Sequence, residues 1–319
     1  FTTLPAMISA QNAQAVAIAA PDRTALSYGE LAALIARTKG SLRGFGVARQ
    51  DRVALVLDNG PEMACAFVAI ASACTAAPLN PAYREEEFAF YLSDLQARAL
   101  VVAQGSSSAS VTAARKLGLL VLELRTSPDL AAGEFTLAAI DDGGAQAAAS
   151  DSMSNANDIA LILHTSGTTS RPKIVPLSQR NLCASARNIV RTLQLSATDC
   201  GLHVMPMFHI HGLIAGVLAP LASGGRIYCT SGFNALRFFG WMKAGAPTWY
   251  TAVPTMHQAI LSRAANNTDV IRAHPLRFIR SSSSSMPPQV IAELERVFGA
   301  PLIESYGMTE ATHQMASSP

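Results

Sequence analysis

The chain has 319 residues and carries 24 Lys and Arg against 22 Asp and Glu, a formal net charge of +2. So small a charge provides no broad field for a nucleic-acid backbone or an anionic membrane, although a local site for a small anion stays open. Hydrophobic residues make up 50% of the sequence, but the longest apolar stretch, residues 63–79, is interrupted by polar residues and is shorter than the roughly 20 residues that span a bilayer.

The first 124 residues alternate helical and extended patterns. Ser27 and Glu30 form a capping-box pattern, and the apolar spacing after them predicts a helix. The elements predicted next are a strand at 52–57, a helix at 61–72, a strand at 76–79, a helix at 84–96, a strand at 99–103, a helix at 110–117 and a strand at 119–124. This order is typical of βαβ units with a parallel sheet covered on both faces.

Residues 141–157 have few large apolar side chains and predict a linker or surface loop. A second α/β series follows, with strands predicted at 158–164, 202–205, 226–229, 276–280 and 301–304, and helices at 178–195, 213–221, 254–265 and 287–298. No fixed-period repeat is present, which excludes solenoids and propellers. The fold class predicted from these patterns is α/β.

The segment at 161–173 (LILHTSGTTSRPK) runs from a buried strand into a loop with five hydroxyls, one glycine and two cations. Hydroxyls, backbone amides and a lysine at the carboxyl end of a strand are suited to binding phosphate. The loop is not a Walker A motif, because Pro172 stands where that motif has its second glycine. From spacing alone, an ordinary Ser/Thr-rich surface loop is the alternative interpretation.

Residues 164–173 resemble the AMP-binding signature of the adenylate-forming superfamily, which includes acyl-CoA synthetases, adenylation domains and luciferases. Residues 207–212 (MFHIHG) resemble its aromatic-His motif, and residues 306–310 (YGMTE) match its Tyr-Gly-x-Thr-Glu motif. Two positions depart from the pattern, since Ser170 and Ile174 stand where glycine is usual. A positive φ would strain Ile174, so we predict an extended backbone there.

The segments at 248–258, 276–281 and 308–315 resemble more particularly the oxalyl-CoA synthetase branch. This resemblance implies that residues 1–319 form the large N-terminal domain of the adenylate-forming fold, with two stacked α/β subdomains and mainly parallel sheets. It also implies that a ribose-binding aspartate, a hinge and a small C-terminal domain with a lysine lie beyond Pro319. We therefore expect the 319-residue chain alone to bind ATP weakly and to form adenylate poorly.

The activity implied by the resemblance is that of an ATP-dependent carboxylate–CoA ligase, an acid–thiol ligase that forms an acyl-adenylate and then a thioester. Oxalate or another small dicarboxylate is the expected acid, with ATP, CoA and Mg²⁺ also required and no nucleic acid or membrane as partner. Three alternatives stay open: a ligase for malonate, an aromatic acid or a fatty acid; a non-catalytic nucleotide-binding protein; and a serine amidohydrolase. The sequence has no GxSxG motif, which would support the serine amidohydrolase.

The resemblance assigns roles to four groups of residues. The β- and γ-phosphates of ATP are expected at Thr165, Ser166, Gly167, Thr168, Thr169 and Lys173. Adenine is expected between Tyr306, followed by Gly307, and the backbone of Ser284 and Ser285. His209 is expected near the reacting carboxylate, Thr309 at the α-phosphate and Glu310 at Mg²⁺, while His211, Ser283 and His313 hold the substrate carboxylates.

Each of the last three residues also has a plainer interpretation. In an extended segment His209 and His211 would share a face and suggest a metal pair, although no third ligand is evident. Ser283 belongs to a serine run typical of a flexible turn, but it follows a predicted strand and precedes a predicted helix. His313 alone is equally compatible with a surface position.

The five cysteines are scattered and include no CxxC pair. This pattern argues against a disulfide framework or a zinc ribbon and favours a reducing compartment such as the cytoplasm. A peroxisomal location is the alternative for a eukaryotic protein. The chain begins at Phe1 without a basic segment that leads into an apolar core. No secretory signal is therefore visible, and we expect the natural N-terminus to be missing.

Overall fold

A computed structural model of the chain describes residues 1–140, 148–165 and 172–318. The α-helices in those ranges are α1 (Leu4–Ser9), α2 (Tyr28–Gly44), α3 (Pro61–Ala73), α4 (Glu85–Asp94), α5 (Ala109–Lys116), α6 (Gln179–Leu193), α7 (Ala219–Ala222), α8 (Phe238–Gly245), α9 (Pro254–Ala264), α10 (Thr268–Ala273) and α11 (Pro288–Phe298). A π-helix covers His211–Leu218, and short 3₁₀ helices cover Ala265–Asn267 and Thr309–Ala311.

The strands in the same ranges are β1 (Val16–Ala19), β2 (Leu26–Ser27), β3 (Arg52–Val56), β4 (Thr75–Pro78), β5 (Ala99–Ala103), β6 (Leu120–Arg125), β7 (Thr136–Ala139), β8 (Ile159–Thr165), β9 (Lys173–Ser178), β10 (Cys200–His203), β11 (Arg226–Cys229), β12 (Trp249–Ala252), β13 (Phe278–Ser282), β14 (Leu302–Met308) and β15 (His313–Ser317). Most predicted elements appear within a few residues of their expected bounds. The Ser27 capping box is confirmed, since Ser27 Oγ accepts from Glu30 N at 3.2 Å and Ser27 N donates to Glu30 Oε2 at 2.7 Å.

The described strands form two sheets that are mainly parallel, as predicted. The first has the order β7-β6-β5-β3-β4-β8-β9 and is antiparallel only at its two edge pairs. The second has the order β15-β14-β13-β12-β10-β11-β1-β2 and is likewise antiparallel only at its edges. Since β13 and β14 lie side by side and parallel, the loops after them open at the same end of the sheet.

One hydrophobic core joins the two sheets. It includes Val53 of β3 and Ile227 of β11, together with nearly the whole of α3. Every residue of α3 except Glu62 is buried. The apolar stretch that raised the membrane question is therefore a buried helix and strand, and among the described residues no helix is long and apolar enough to cross a membrane.

The edge strand β9 was not predicted, because the phosphate loop was expected to be followed directly by the helix at 178–195. Val175 and Leu177 are buried while Lys173 and Pro176 are exposed, which is the alternation of a half-buried strand. Proline lacks a backbone donor, and an edge strand tolerates it. Ile174 lies within this strand and is extended, as predicted.

The helix predicted at 213–221 begins earlier, at His211, and its first eight residues are π-helical. His203 of β10 packs against this segment, with Nε2 3.1 Å from the carbonyl oxygen of Gly212. A Cβ on Gly216 would lie 2.6 Å from the same nitrogen. The absence of a side chain at Gly216 therefore leaves room for His203 beside the helix that begins with His211.

Replacing Gly216 with alanine is expected to lower the free energy of unfolding by about 1–3 kcal/mol, because the new methyl group must displace the His203 ring. Gly240 of α8 is a matched control, since a Cβ there meets no atom within 4 Å. G240A should raise the free energy of unfolding by about 0.5–1 kcal/mol through better helix propensity. Urea unfolding of both variants checks the contrast, and equal effects would contradict the packing assigned to His203.

Candidate active site

The predicted phosphate loop connects β8 to β9 at the edge of the first sheet. Thr165 at the end of β8 pairs with Lys173 at the start of β9, and the side chain of Lys173 is exposed. Ser166, Gly167, Thr168 and Thr169 lie outside the described residues, so their roles stay predictions. The two described ends place the loop at the carboxyl end of a mostly buried strand, where ligands bind in open α/β sheets.

A cavity of about 550 Å³ opens between the ends of β13, β14 and β15. The predicted adenine residues Ser284, Ser285, Tyr306 and Gly307 all line it, and Ser283 lies on the same wall. Tyr306 is 65% exposed, so a large aromatic residue on the cavity wall is accessible to a ligand. Cavities of a few hundred Å³ are typical of small-molecule sites.

Gly307 is required by the close approach of β15. A Cβ at this position would lie 1.7 Å from the carbonyl oxygen of His313, far inside van der Waals contact. The β14–β15 pairing is irregular between Tyr306 and Gly307, and Met308 pairs with His313. The glycine of the Tyr-Gly-x-Thr-Glu motif thus allows the strand that carries Tyr306 to pack against the strand that carries His313.

The structure brings His211, Ser283 and His313 together. Nδ1 of His211 lies 3.0 Å from Ser283 Oγ, and the rings of His211 and His313 stack with centroids 4.9 Å apart. Both histidines are 2% exposed, whereas Ser283 is exposed. Ser283 lies between β13 and α11, as predicted, although the serine run begins inside β13 and is only partly a turn.

The central residue of this cluster is Arg280, which the site prediction missed. It is fully buried on β13, with Nη1 3.2 Å from His211 Nε2 and Nη2 3.1 Å from His313 Nε2. Thr251 Oγ1 and Gln314 Oε1 accept its other Nη hydrogens at 3.1 and 2.9 Å. No carboxylate of the described residues forms an ion pair with it, so its charge is buried without a counter-charge.

The protonation states of His211, His313 and Arg280 are governed mainly by their burial. Burial, followed by the charges of His313 and Arg280, holds the pKa of His211 well below its usual value, and burial followed by Arg280 does the same to the pKa of His313. Burial lowers the pKa of Arg280 to about 9, which still leaves it protonated at pH 7. The cluster therefore combines one cation with two neutral imidazoles.

Two members of the cluster have a backbone conformation that is unusual for residues other than glycine. The φ angle is +75° at Ser283 and +89° at His313. Left-handed conformations of such residues cost on the order of 1 kcal/mol or more and are concentrated at functional sites. The strain is consistent with a fold that holds these two side chains in place for binding.

The interpretation of His209 and His211 as a metal pair assumed an extended segment with both side chains on one face, and this assumption was wrong. His211 is the first residue of the π-helix and is buried, whereas His209 precedes the helix and is exposed. Thr309 and Glu310 lie in the 3₁₀ helix next to β9, and the Glu310 side chain is exposed. Within the described part of the chain, no group of three or more His, Cys, Asp or Glu residues is placed to hold a metal ion.

Comparison with known proteins agrees with the resemblance seen in the motifs. The chain is 42% identical over 313 residues to an oxalate–CoA ligase of Arabidopsis thaliana, covering 94% of this chain and 60% of the relative. It is 37% identical over 293 residues to an oxalate–CoA ligase of Saccharomyces cerevisiae, covering 85% of this chain and 53% of the relative. The chain thus spans less than two thirds of the length of either relative.

The fold matches a crystal structure of ATP-bound MatB from Rhodopseudomonas palustris with a TM-score of 0.83 and 27% identity. The match covers all of this chain and 62% of the other. This confirms the predicted fold, that of the N-terminal part of adenylate-forming enzymes. A model of the family described as AMP-binding enzyme matches residues 7–319. The chain therefore belongs to the AMP-binding enzyme family.

Proposed function

We propose that the protein is an ATP-dependent carboxylate–CoA ligase that activates oxalate or another small dicarboxylate. The observation that carries this proposal is Arg280, a buried cation without a carboxylate partner among the described residues, which is linked through His211 to Ser283 on the wall of an open cavity. A buried charge is costly unless it is paired. The second carboxylate of a dicarboxylate would supply a counter-charge to Arg280 through the intervening His211 and Ser283, whereas the tail of a fatty acid would not.

The proposed reaction has two balanced steps. A carboxylate oxygen of the acid bonds to the α-phosphorus of ATP, and the bond from that phosphorus to the bridging oxygen breaks to release pyrophosphate. The CoA sulfur then bonds to the acyl carbon, AMP leaves with the shared oxygen, and the thiol proton is released. Neither step needs an enzyme nucleophile, so the protein contributes positioning and electrostatic stabilisation.

The described residues fit a nucleotide. The cavity would hold adenosine, with Tyr306 stacked on adenine and the backbone of Ser284 and Ser285 opposite. Thr165, Lys173 and the loop between them would contact the β- and γ-phosphates. Thr309 would contact the α-phosphate, and His209 would lie near the reacting carboxylate.

Mg²⁺ is compatible with the residue chemistry at Glu310. This side chain is exposed and forms no salt bridge within the described ranges. Mg²⁺ in nucleotide enzymes is usually bound by one or two carboxylates together with phosphate oxygens, so a single glutamate is a sufficient protein contribution. When bound, the ion would offset the negative charge of the phosphates.

Pyrophosphate release by the natural protein that carries this sequence tests the proposal. With ATP and CoA present, we expect kcat/KM for oxalate to exceed that for malonate by about 10-fold and those for acetate and octanoate by about 100-fold or more. Activity confined to octanoate would contradict the role of Arg280. Nucleotide binding without pyrophosphate release would favour a non-catalytic protein, and hydrolysis without ATP would favour an amidohydrolase.

A further inference from the structure

Arg280 contacts both imidazoles of the buried cluster through the same type of nitrogen, Nε2. We infer that Arg280 fixes His211 and His313 in the tautomer protonated at Nδ1, and that the cluster thereby presents hydrogen-bond donors to the substrate. The acid selected by such a site carries a second group that is an acceptor-only anion. The substrate part of this inference rests on the proposed function.

The first step of the argument is the donor inventory of Arg280. A guanidinium has five N–H donors and no acceptor. Its Nη1 reaches His211 Nε2 at 3.2 Å and Thr251 Oγ1 at 3.1 Å, while Nη2 reaches His313 Nε2 at 3.1 Å and Gln314 Oε1 at 2.9 Å. A proton on either Nε2 would point at an N–H of the guanidinium. Both Nε2 atoms are therefore acceptors.

The contact with Thr251 is compatible with the assignment at His211. Its Oγ1 accepts from Arg280 and lies 2.7 Å from His211 Nε2. With an oxygen lone pair occupied by the arginine, the hydroxyl hydrogen of Thr251 is free to point at the imidazole. Arg280 and Thr251 then share the single lone pair of Nε2, and the proton of the neutral ring resides on Nδ1.

The second step follows the hydrogen bonds away from Arg280. The Nδ1–H of His211 donates to Ser283 Oγ at 3.0 Å, so the hydroxyl hydrogen of Ser283 is left for another acceptor. Ser283 lines the cavity of about 550 Å³. A chain of donors therefore runs from the buried cation through His211 to a hydroxyl on the cavity wall.

His313 offers a second donor. Its Nε2 accepts from Arg280, and its Nδ1 forms no hydrogen bond with any described residue. The left-handed backbone of His313 and its stacking on His211 hold this ring in position. The Nδ1–H of His313 is thus left without an acceptor among the described residues, as is the hydroxyl hydrogen of Ser283.

A site of donors discriminates between groups of the same shape. A carboxylate accepts at both oxygens, whereas a carboxamide has an NH₂ group that would oppose the donors. Oxamate has the size of oxalate with one carboxylate replaced by a carboxamide. We expect kcat/KM for oxamate to be on the order of 100-fold or more below that for oxalate, because a mismatched buried polar group is strongly rejected.

The tautomers are measurable without reference to activity. In protein labelled with ¹⁵N-histidine, protonated and unprotonated ring nitrogens resonate far apart, and H211F and H313F assign the signals. We expect His211 and His313 to be neutral and protonated at Nδ1 from pH 6.5 to 8. A wild-type spectrum with either ring protonated at Nε2 would overturn the inference, whatever any variant does.

Variants of Arg280 test whether this residue determines the tautomers of His211 and His313. In R280M we expect at least one of the two rings to move toward the Nε2–H tautomer and the oxalate-to-oxamate preference to fall at least 10-fold. R280K keeps a donor-only cation and should restore part of both. Arg43 is the matched control, since it is also buried and donates to the carbonyl oxygens of Val47 and Ala73 at 2.8 and 2.6 Å.

R43M should leave the histidine spectrum and the acid preference unchanged, even if it is destabilised as much as R280M. Equal changes in the two variants would contradict a specific role for Arg280. Different results would overturn the inference and the proposed function. Oxalate activation with Nε2–H rings would overturn the inference alone, whereas Nδ1–H rings without pyrophosphate release from oxalate would overturn the function and the substrate part.

Discussion

His211→Phe is expected to lower kcat/KM for oxalate by about 100- to 1,000-fold while the Kd for ATP changes by less than about 3-fold. Phenylalanine keeps the ring that stacks on His313 but removes both nitrogens, so Ser283 loses a donor and Arg280 loses an acceptor. A buried polar group left unpaired costs about 1–3 kcal/mol, and a charged group costs more. Pyrophosphate-release kinetics and ATP titration measure the two quantities.

His257→Phe is the matched control for this variant. His257 is fully buried and its Nδ1 lies 3.0 Å from the hydroxyl of Tyr250, so its replacement also removes a buried hydrogen bond. Burial lowers the pKa of His257 to about 4, so the variant removes a neutral ring, as at His211. We expect H257F to lose stability without a change in acid preference. Equal losses of kcat/KM in the two variants would contradict a specific role for His211.

Gly307→Ala is expected to weaken ATP binding and to lower kcat/KM for ATP by about 100-fold or more. The added methyl group would lie 1.7 Å from the His313 carbonyl, and only separation of β14 from β15 removes that overlap. This movement displaces Tyr306 on one strand and His313 on the other, and sub-ångström positioning is what catalysis by orientation requires. ATP titration and steady-state kinetics provide the measurement.

The control for Gly307 is G44A, because a Cβ at Gly44 at the end of α2 meets no atom within 4 Å. G44A should bind ATP and turn over oxalate as the wild type does. Circular dichroism of G307A separates local displacement from global unfolding. A folded G307A that binds ATP within about 3-fold of the wild type would show that β15 does not approach Gly307 as closely as described.

Most of the fold could be predicted because its buried parallel strands are short apolar runs between amphipathic helices. β5 and β11 appear with the predicted bounds. β12 was missed because all four of its residues are buried and show no alternation, and a short apolar run does not distinguish a strand from a helix. β9 was missed because Pro176 indicates a loop unless the strand is known to lie at an edge.

The candidate site was predicted in part. The motifs indicated His211, Ser283 and His313, which the structure brings together, but no role was predicted for Arg280, although it lies in the segment at 276–281. A single arginine after Phe278 and Ile279 is compatible with an exposed strand end, and its burial depends on β12 and β14, which flank β13 in the sheet. The left-handed backbone of Ser283 and His313 also depends on tertiary contacts, since a positive φ is uncommon for any residue other than glycine.

The most direct test of the account is a crystal structure of the natural protein with oxalate and an ATP analogue that cannot release pyrophosphate. We expect adenine in the cavity against Tyr306, and one oxalate carboxylate facing the α-phosphate. The other carboxylate should accept hydrogen bonds from Ser283 Oγ and His313 Nδ1. Oxalate bound elsewhere, with Ser283 and His313 contacting only protein atoms, would contradict the account.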